Sequence, residues 1–228
     1  MTSPSRLPPT PSHHVPDHGL VEYAAATCTD GAALAFACHL SLCPACAADV
    51  TALEQIGGDL LEASPGAPLD PAALAAVMAR LDGTPQIAPG PGEIAPPAFL
   101  SGSGLPAPLL RALSPADDWR TVVPGVRKVD LRLAVPGGAA RLVRFQGGVT
   151  IPLHDHGGPE YIVVFTGALE EKGDGRRFVR GDLSIRLPGE QHAQRAAPGE
   201  PCVALVVNEG ALRPLTLRGR LLLALARG

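Results

Sequence analysis

Residues 84–106 read TPQIAPGPGEIAPPAFLSGSGLP, with six Pro and four Gly in twenty-three positions. Pro has no amide hydrogen and fixes its own φ, while Gly loses the most entropy on ordering, so this stretch sustains neither a helix interior nor a central strand. No continuous bundle or sheet can run through the whole 228-residue chain. The segment reads as a linker, semi-extended where Pro dominates, between a unit at 1–83 and another at 107–228.

The two sides differ in period. On the N-terminal side, Leu20, Tyr23 and Ala24 follow Asp17, an expected helix cap, and Asp30 is expected to cap a helix through Leu34, Ala37 and Leu42. Pro44 suits the first turn of a third helix carrying Val50, Leu53, Ile56 and Leu60 at helical spacing. In the fourth, Asp70 caps, Pro71 takes the first turn, Leu74, Val77, Met78 and Leu81 form one stripe, and Gly83 ends it. On the C-terminal side the period falls to two, in Val126–Leu133, Arg141–Phe145, Tyr161–Thr166, Arg177–Val179, Leu183–Leu187, Val203–Asn208 and Leu221–Leu225. Turns such as Pro136-Gly137-Gly138, Gly173-Asp174-Gly175 and Pro188-Gly189 separate these runs. Short strands with Gly-rich turns predict a sandwich or small barrel, so the fold class is α+β, a small helical bundle followed by an all-β domain.

Charge narrows the partners. Residues 1–105 hold ten acids against only Arg6 and Arg80, and residues 106–228 hold twelve acids against seventeen bases, a split hidden in the net −3. An acidic half repels phosphates and suits a basic protein surface, and 4% aromatic residues is little for stacking on bases, so no direct nucleic-acid contact is expected. Met1 to Ser12 lacks the apolar run of a signal peptide. Gly31 to Ala48 carries no formal charge, but its Ala and Cys content, with His39 and Pro44, reads as a buried or metal-bearing helix rather than a membrane span. A cytoplasmic protein is expected. The five cysteines are odd in number and four lie within nineteen positions, unlike a disulfide scaffold.

Two groups of residues have metal-ligand spacing. In His39-x3-Cys43-x2-Cys46, His39 and Cys43 share a helix face, and Pro44 starts a new helix that swings Cys46 to the same point. Two thiolates and two neutral imidazoles balance and close a tetrahedral Zn2+, so a fourth ligand is needed, with His13, His14 and His18 upstream. A redox Cys-x-x-Cys normally begins a helix after a strand, and no strand precedes Cys43. Cys28, Cys38 and Cys202 read as small core residues. The second group is His154-Asp155-His156-x3-Glu160 with His192 further on. On a strand, 154 and 156 face one cavity and Asp155 points away to solvent. Three imidazoles and one carboxylate hold a divalent ion with positions left open, able to bind or activate a small oxygen ligand.

The intervals Gly148, His154, His156, Glu160 and Gly167 resemble the first cupin motif, which implies a jelly-roll barrel. Gly181, Gly189 and His192 follow the second motif, while Pro188 is displaced by one and Ala196 stands where an Asn is usual. The order of parts resembles the ChrR-type zinc-binding anti-sigma factors. These parts are His13-His14-Val15, the His-x3-Cys-x2-Cys segment, the Pro-rich linker, Trp119 and Val123-Pro124-Gly125-Val126, then the cupin. The resemblance implies a structural Zn2+ on His14, His39, Cys43 and Cys46, and a divalent metal (Zn2+ first, or Fe, Mn or Ni) on His154, His156, Glu160 and His192. It further implies a 1:1 complex in which the helical unit sequesters an extracytoplasmic-function sigma factor, released under photo-oxidative stress from singlet oxygen with the cupin needed for release. No catalytic residues are implied. The competing reading is a metal-dependent cupin oxygenase or other small-molecule enzyme with an N-terminal zinc module.

Overall fold

The computed structural model describes residues 10–83, 100, 104–114, 116–133, 135, 137–217 and 219–221. Most of the segment read as a linker, 84–99 and 101–103, lies outside them.

The described chain opens on α1 (Asp17–Ala24), α2 (Asp30–Leu40), α3 (Pro44–Ala63) and α4 (Ala73–Gly83), with α5 (Ala107–Arg111) ahead of the strands. Two of the expected caps shift by one. Asp17 and Asp30 are first helical residues, where a carboxylate favours the positive end of the helix dipole, and the capping positions are Pro16 and Thr29. Thr29 Oγ accepts from the Ala32 amide at 3.2 Å. Asp70 accepts from the Ala72 amide at 2.7 Å, but in a turn over 71–72, and α4 begins at Ala73. Pro44 opens α3 as expected, with Cys43 at its cap.

The strands are β1 (Arg120–Val123), β2 (Val126–Asp130), β3 (Ala139–Phe145), β4 (Thr150–His156), β5 (Glu160–Thr166), β6 (Leu169–Glu171), β7 (Arg177–Phe178), β8 (Leu183–Arg186), β9 (His192–Ala196), β10 (Cys202–Asn208) and β11 (Leu212–Pro214). They form two antiparallel sheets, β1-β2-β3-β10-β5-β8 and β11-β4-β9-β6-β7. Leu221 is helical rather than extended, and 222–225 of the expected last strand lie outside the described residues.

The three central strands of the larger sheet read AARLVRF, CVALVVN and EYIVVFT, apolar on both faces. One face, with Val143, Phe145, Ile162, Val164, Cys202 and Ala204, meets Leu169, Phe178 and Ala196 of the smaller sheet. The other carries Ala140, Leu142, Val163, Phe165, Leu205 and Val207, and these form one core with Phe36, Ala35 and Ala32 of α2, Val15, Leu20 and Leu109. A strand apolar on both sides needs a cover on both sides, and the helices supply the second. Leu100 and Leu105, at the end of the Pro-rich segment, are buried in the same core. Approach at the start of α2 is close: a Cβ on Gly31 would lie 2.8 Å from Val207 Cγ1. Phe36 stands edge-on to Tyr161 with ring centres 5.6 Å apart, and Thr29 hydrogen-bonds the Glu209 carboxylate.

Phe36→Ala is expected to cost about 3–5 kcal/mol, because the ring is fully covered between α1, α2 and β5. Urea unfolding of the two chains measures it, and a loss under 1 kcal/mol would mean the helices do not rest on the sheet.

Candidate metal centres

The N-terminal cluster is built where three segments meet. His39 sits in the last turn of α2, Cys43 caps α3, Cys46 lies in its first turn, and His14 stands in the extended segment before α1. The ligating atoms of these four lie within 4.8 Å of one another. His14 Nδ1 is 3.3 Å from Cys43 Sγ and 3.4 Å from Cys46 Sγ, and His39 Nε2 is 3.4 Å from Cys46 Sγ. Tetrahedral Zn2+ with ordinary Zn–N and Zn–S bonds sets N and S about 3.5 Å apart, so the donor set fits that ion. His39 Nδ1 donates to the Gly181 carbonyl at 2.7 Å, which leaves Nε2 with its lone pair toward the thiols. Burial holds the His39 imidazole below its usual range, hence neutral. Burial, with the neighbouring Cys43 adding, pushes the Cys46 thiol up to about 11.

Of the three upstream histidines, His14 joins the cluster. His13 turns to Asp182, with Nδ1 3.4 Å from a carboxylate oxygen and its ring against Phe178, and His18 is exposed on α1. Cys38 and Cys202 are buried as expected and Cys28 is half-buried. Among the described residues no single helix is long and apolar enough to cross a membrane; α2 and α3 reach that composition only as a pair bent by 120°.

The second cluster lies inside the β-domain. His154 and His156 alternate inward on β4, Glu160 opens β5 and His192 opens β9, and their ligating atoms also lie within 4.8 Å of one another. His156 Nε2 is 3.0 Å from His192 Nε2 and 3.3 Å from Glu160 Oε1. His154 Nδ1 donates to the Pro152 carbonyl at 2.7 Å, freeing Nε2. Burial lowers the His154 imidazole to about 4 and His156 to about 3, so both are neutral lone-pair donors near pH 7. Glu160 is fully enclosed, burial pushes its carboxyl up, and its Oε2 makes no hydrogen bond. A buried carboxyl oxygen facing three imidazoles is what a divalent cation would satisfy.

Sequence reasoning missed the residues that hold these ligands. Asn208, the register partner of Glu160, donates to Glu160 Oε1 at 2.8 Å and lies 3.1 Å from His156 Nδ1. Glu171 stands 3.5 Å from His192 Nδ1 and is held by Arg186 at 2.7 Å and Gln194 at 2.8 Å. Burial works against the Glu171 carboxylate, but His192, Arg186 and Gln194 outweigh it and hold it down at about 2. The signal was alternation: Leu169 faces the core, so Glu171 must too. Asp155 does point away from the cluster, but not into open water, for its carboxylate accepts from Arg213 Nε at 2.6 Å.

Residues 113–213 match the model of the ChrR cupin-like domain. The anti-sigma-E factor ChrR of Cereibacter sphaeroides is 38% identical over 208 residues, 88% of this chain and 91% of that protein. A crystal structure of Rhodobacter sphaeroides SigE in complex with the anti-sigma ChrR superposes with a TM-score of 0.68 at 33% identity, covering 87% of this chain and 99% of the matched one. Identity at that level across both the helices and the strands makes this chain a member of the ChrR family of anti-sigma factors.

Proposed function

We propose that this chain sequesters an extracytoplasmic-function sigma factor in a 1:1 cytoplasmic complex and releases it under singlet-oxygen stress. Zn2+ on His14, His39, Cys43 and Cys46 would tie the extended N-terminal segment to α2 and α3. A divalent metal on His154, His156, Glu160 and His192 would serve the response. The observation that carries the reading is an exposed apolar stripe on α4. Leu74, Val77, Met78 and Leu81 follow helical spacing, and their exposures run from 49% to 74%. Ile56, Leu60 and Leu61 on α3 are exposed too, beside Asp59 and Glu62. Exposed apolar stripes, with acids beside the one on α3, suit a basic partner that brings its own apolar face. The relatives named above add support, one being an anti-sigma-E factor and the other a ChrR bound to SigE.

The full chain co-expressed with the candidate sigma factor should copurify with it. Val77→Asp with Met78→Asp should weaken capture by about 2 kcal/mol or more, roughly 30-fold, with no loss of folding because both side chains are exposed. Undiminished capture by the double variant would move the contact off α4.

A further inference from the structure

Three consecutive residues of the β-domain spend their polar groups on the N-terminal segment. The Gly181 carbonyl accepts from His39 Nδ1 at 2.7 Å. The Asp182 carboxylate, with no exposure, accepts from the amides of Ser12 at 2.6 Å and His13 at 3.0 Å. The Leu183 amide donates to the His13 carbonyl at 3.1 Å. Gly181 has φ +88, a conformation that L side chains rarely adopt, and a Cβ there would lie 2.6 Å from Pro11 Cγ. The turn before β8 is thus shaped around the two residues preceding His14 and around Nδ1 of His39.

We infer that Asp182 is a positioning residue for the N-terminal metal site, and that with the Gly181 carbonyl it makes the β-domain a working part of that site. Two of the four donors depend on it. The carbonyl sets which His39 nitrogen faces the ion, and the carboxylate fixes the backbone that aims His14. A segment held only by its own residues would carry His14 through many orientations, and ordering it would be charged against metal binding. Groups that orient metal ligands are worth about 10- to 100-fold in metal affinity. Burial opposes the Asp182 charge, but the amides of Val179, Ser12 and His13 outweigh it and hold its carboxyl below the usual range.

The inference rests on the Zn2+ reading of the four-residue cluster, and Co2+ separates the two questions. Of the two candidate sites only the N-terminal one has sulfur donors, so thiolate-to-Co2+ charge transfer reports that site alone. The wild-type full chain is titrated with Co2+, which is then displaced by Zn2+ against a competing chelator. Absence of the thiolate band in wild type sinks the zinc reading itself. With the band present, Asp182→Ala should weaken N-terminal affinity 10- to 100-fold, and Asp182→Asn, which keeps an acceptor, should recover most of it. Asp182 also accepts from the Val179 amide at 2.8 Å within its own turn, so the Ala variant can disturb the β-domain. Ser12→Pro removes one of the amide donors from the N-terminal side, and turns a ring carbon toward the Asp182 carboxylate, without changing a β-domain residue. It should weaken affinity several-fold with the band's shape unchanged. Wild-type affinity in Ser12→Pro, with Asp182→Ala either equally unaffected or unfolded, overturns the inference.

Discussion

Cys46→Ser in the full chain is expected to hold one Zn2+ fewer and to lose capture of the sigma factor. The sulfur is buried at the start of α3, 3.4 Å from both His14 and His39 nitrogens, so its loss opens the tetrahedron on the side where three segments meet. A structural zinc contributes on the order of 10 kcal/mol in small domains, more than the covered apolar residues of α1 to α3 replace. Those residues are few: Leu20, Ala32, Ala35, Phe36 and Val50, with Val15 just ahead of α1, beside the cysteines themselves. Burial pushes the Cys46 thiol up to about 11, so an ion bound there must displace its proton. Metal analysis, hydrogen exchange over α1 to α3 and copurification give the answer together. A Cys46→Ser chain that keeps its thiolate-bound ion and still captures the sigma factor would refute the ligand set.

Glu160→Gln should leave capture within a few-fold and remove release. The amide keeps the Asn208 contact and the shape of the site, while the charge that faces the three imidazoles is gone. The helices rest on the opposite face of β5, through Tyr161 and Val163, so the resting complex keeps its contacts. A signal shifts binding only through a difference between two states, and couplings of this kind weaken a partner by roughly 5- to 150-fold. A physical route exists in β8. Its last residue, Arg186, pairs in register with Glu160 and holds Glu171 beside His192, and its start follows the turn that holds His39 and the segment before His14. Reporter induction under singlet oxygen, with affinities measured before and after exposure, tests this. Full induction by the variant, together with turnover of a small substrate that the variant loses, would give the β-domain to an enzyme.

What was legible in the chain followed local rules. Pro44 announced α3, and alternation placed His154 and His156 on one side of a strand before any strand was seen. The spacing of His39, Cys43 and Cys46 holds because a helix end and a new helix start lie within one turn. Non-local facts were out of reach. Asp182 looks like any turn aspartate until its carboxylate is found on Ser12 and His13, 170 and 169 positions away. Neither β6 nor β11 was among the expected strands, so the alternation that turns Glu171 inward with Leu169 had no strand to be read on. The runs of β3, β5 and β10, read as period two, are in fact apolar on both faces, and that departure held a clue to the shared core, since a sheet facing water on one side would have alternated.

The turn before β8 also sets an order of events during synthesis. All four residues of the N-terminal cluster have been made once the ribosome passes Cys46, whereas Asp182 is added 136 residues later. At ordinary elongation of about 5–20 residues per second, that interval is roughly 7 to 27 s. Until the β-domain folds, His39 and the segment before His14 lack their Gly181 and Asp182 contacts, so a Zn2+ site on these four residues would reach its full affinity only after that step.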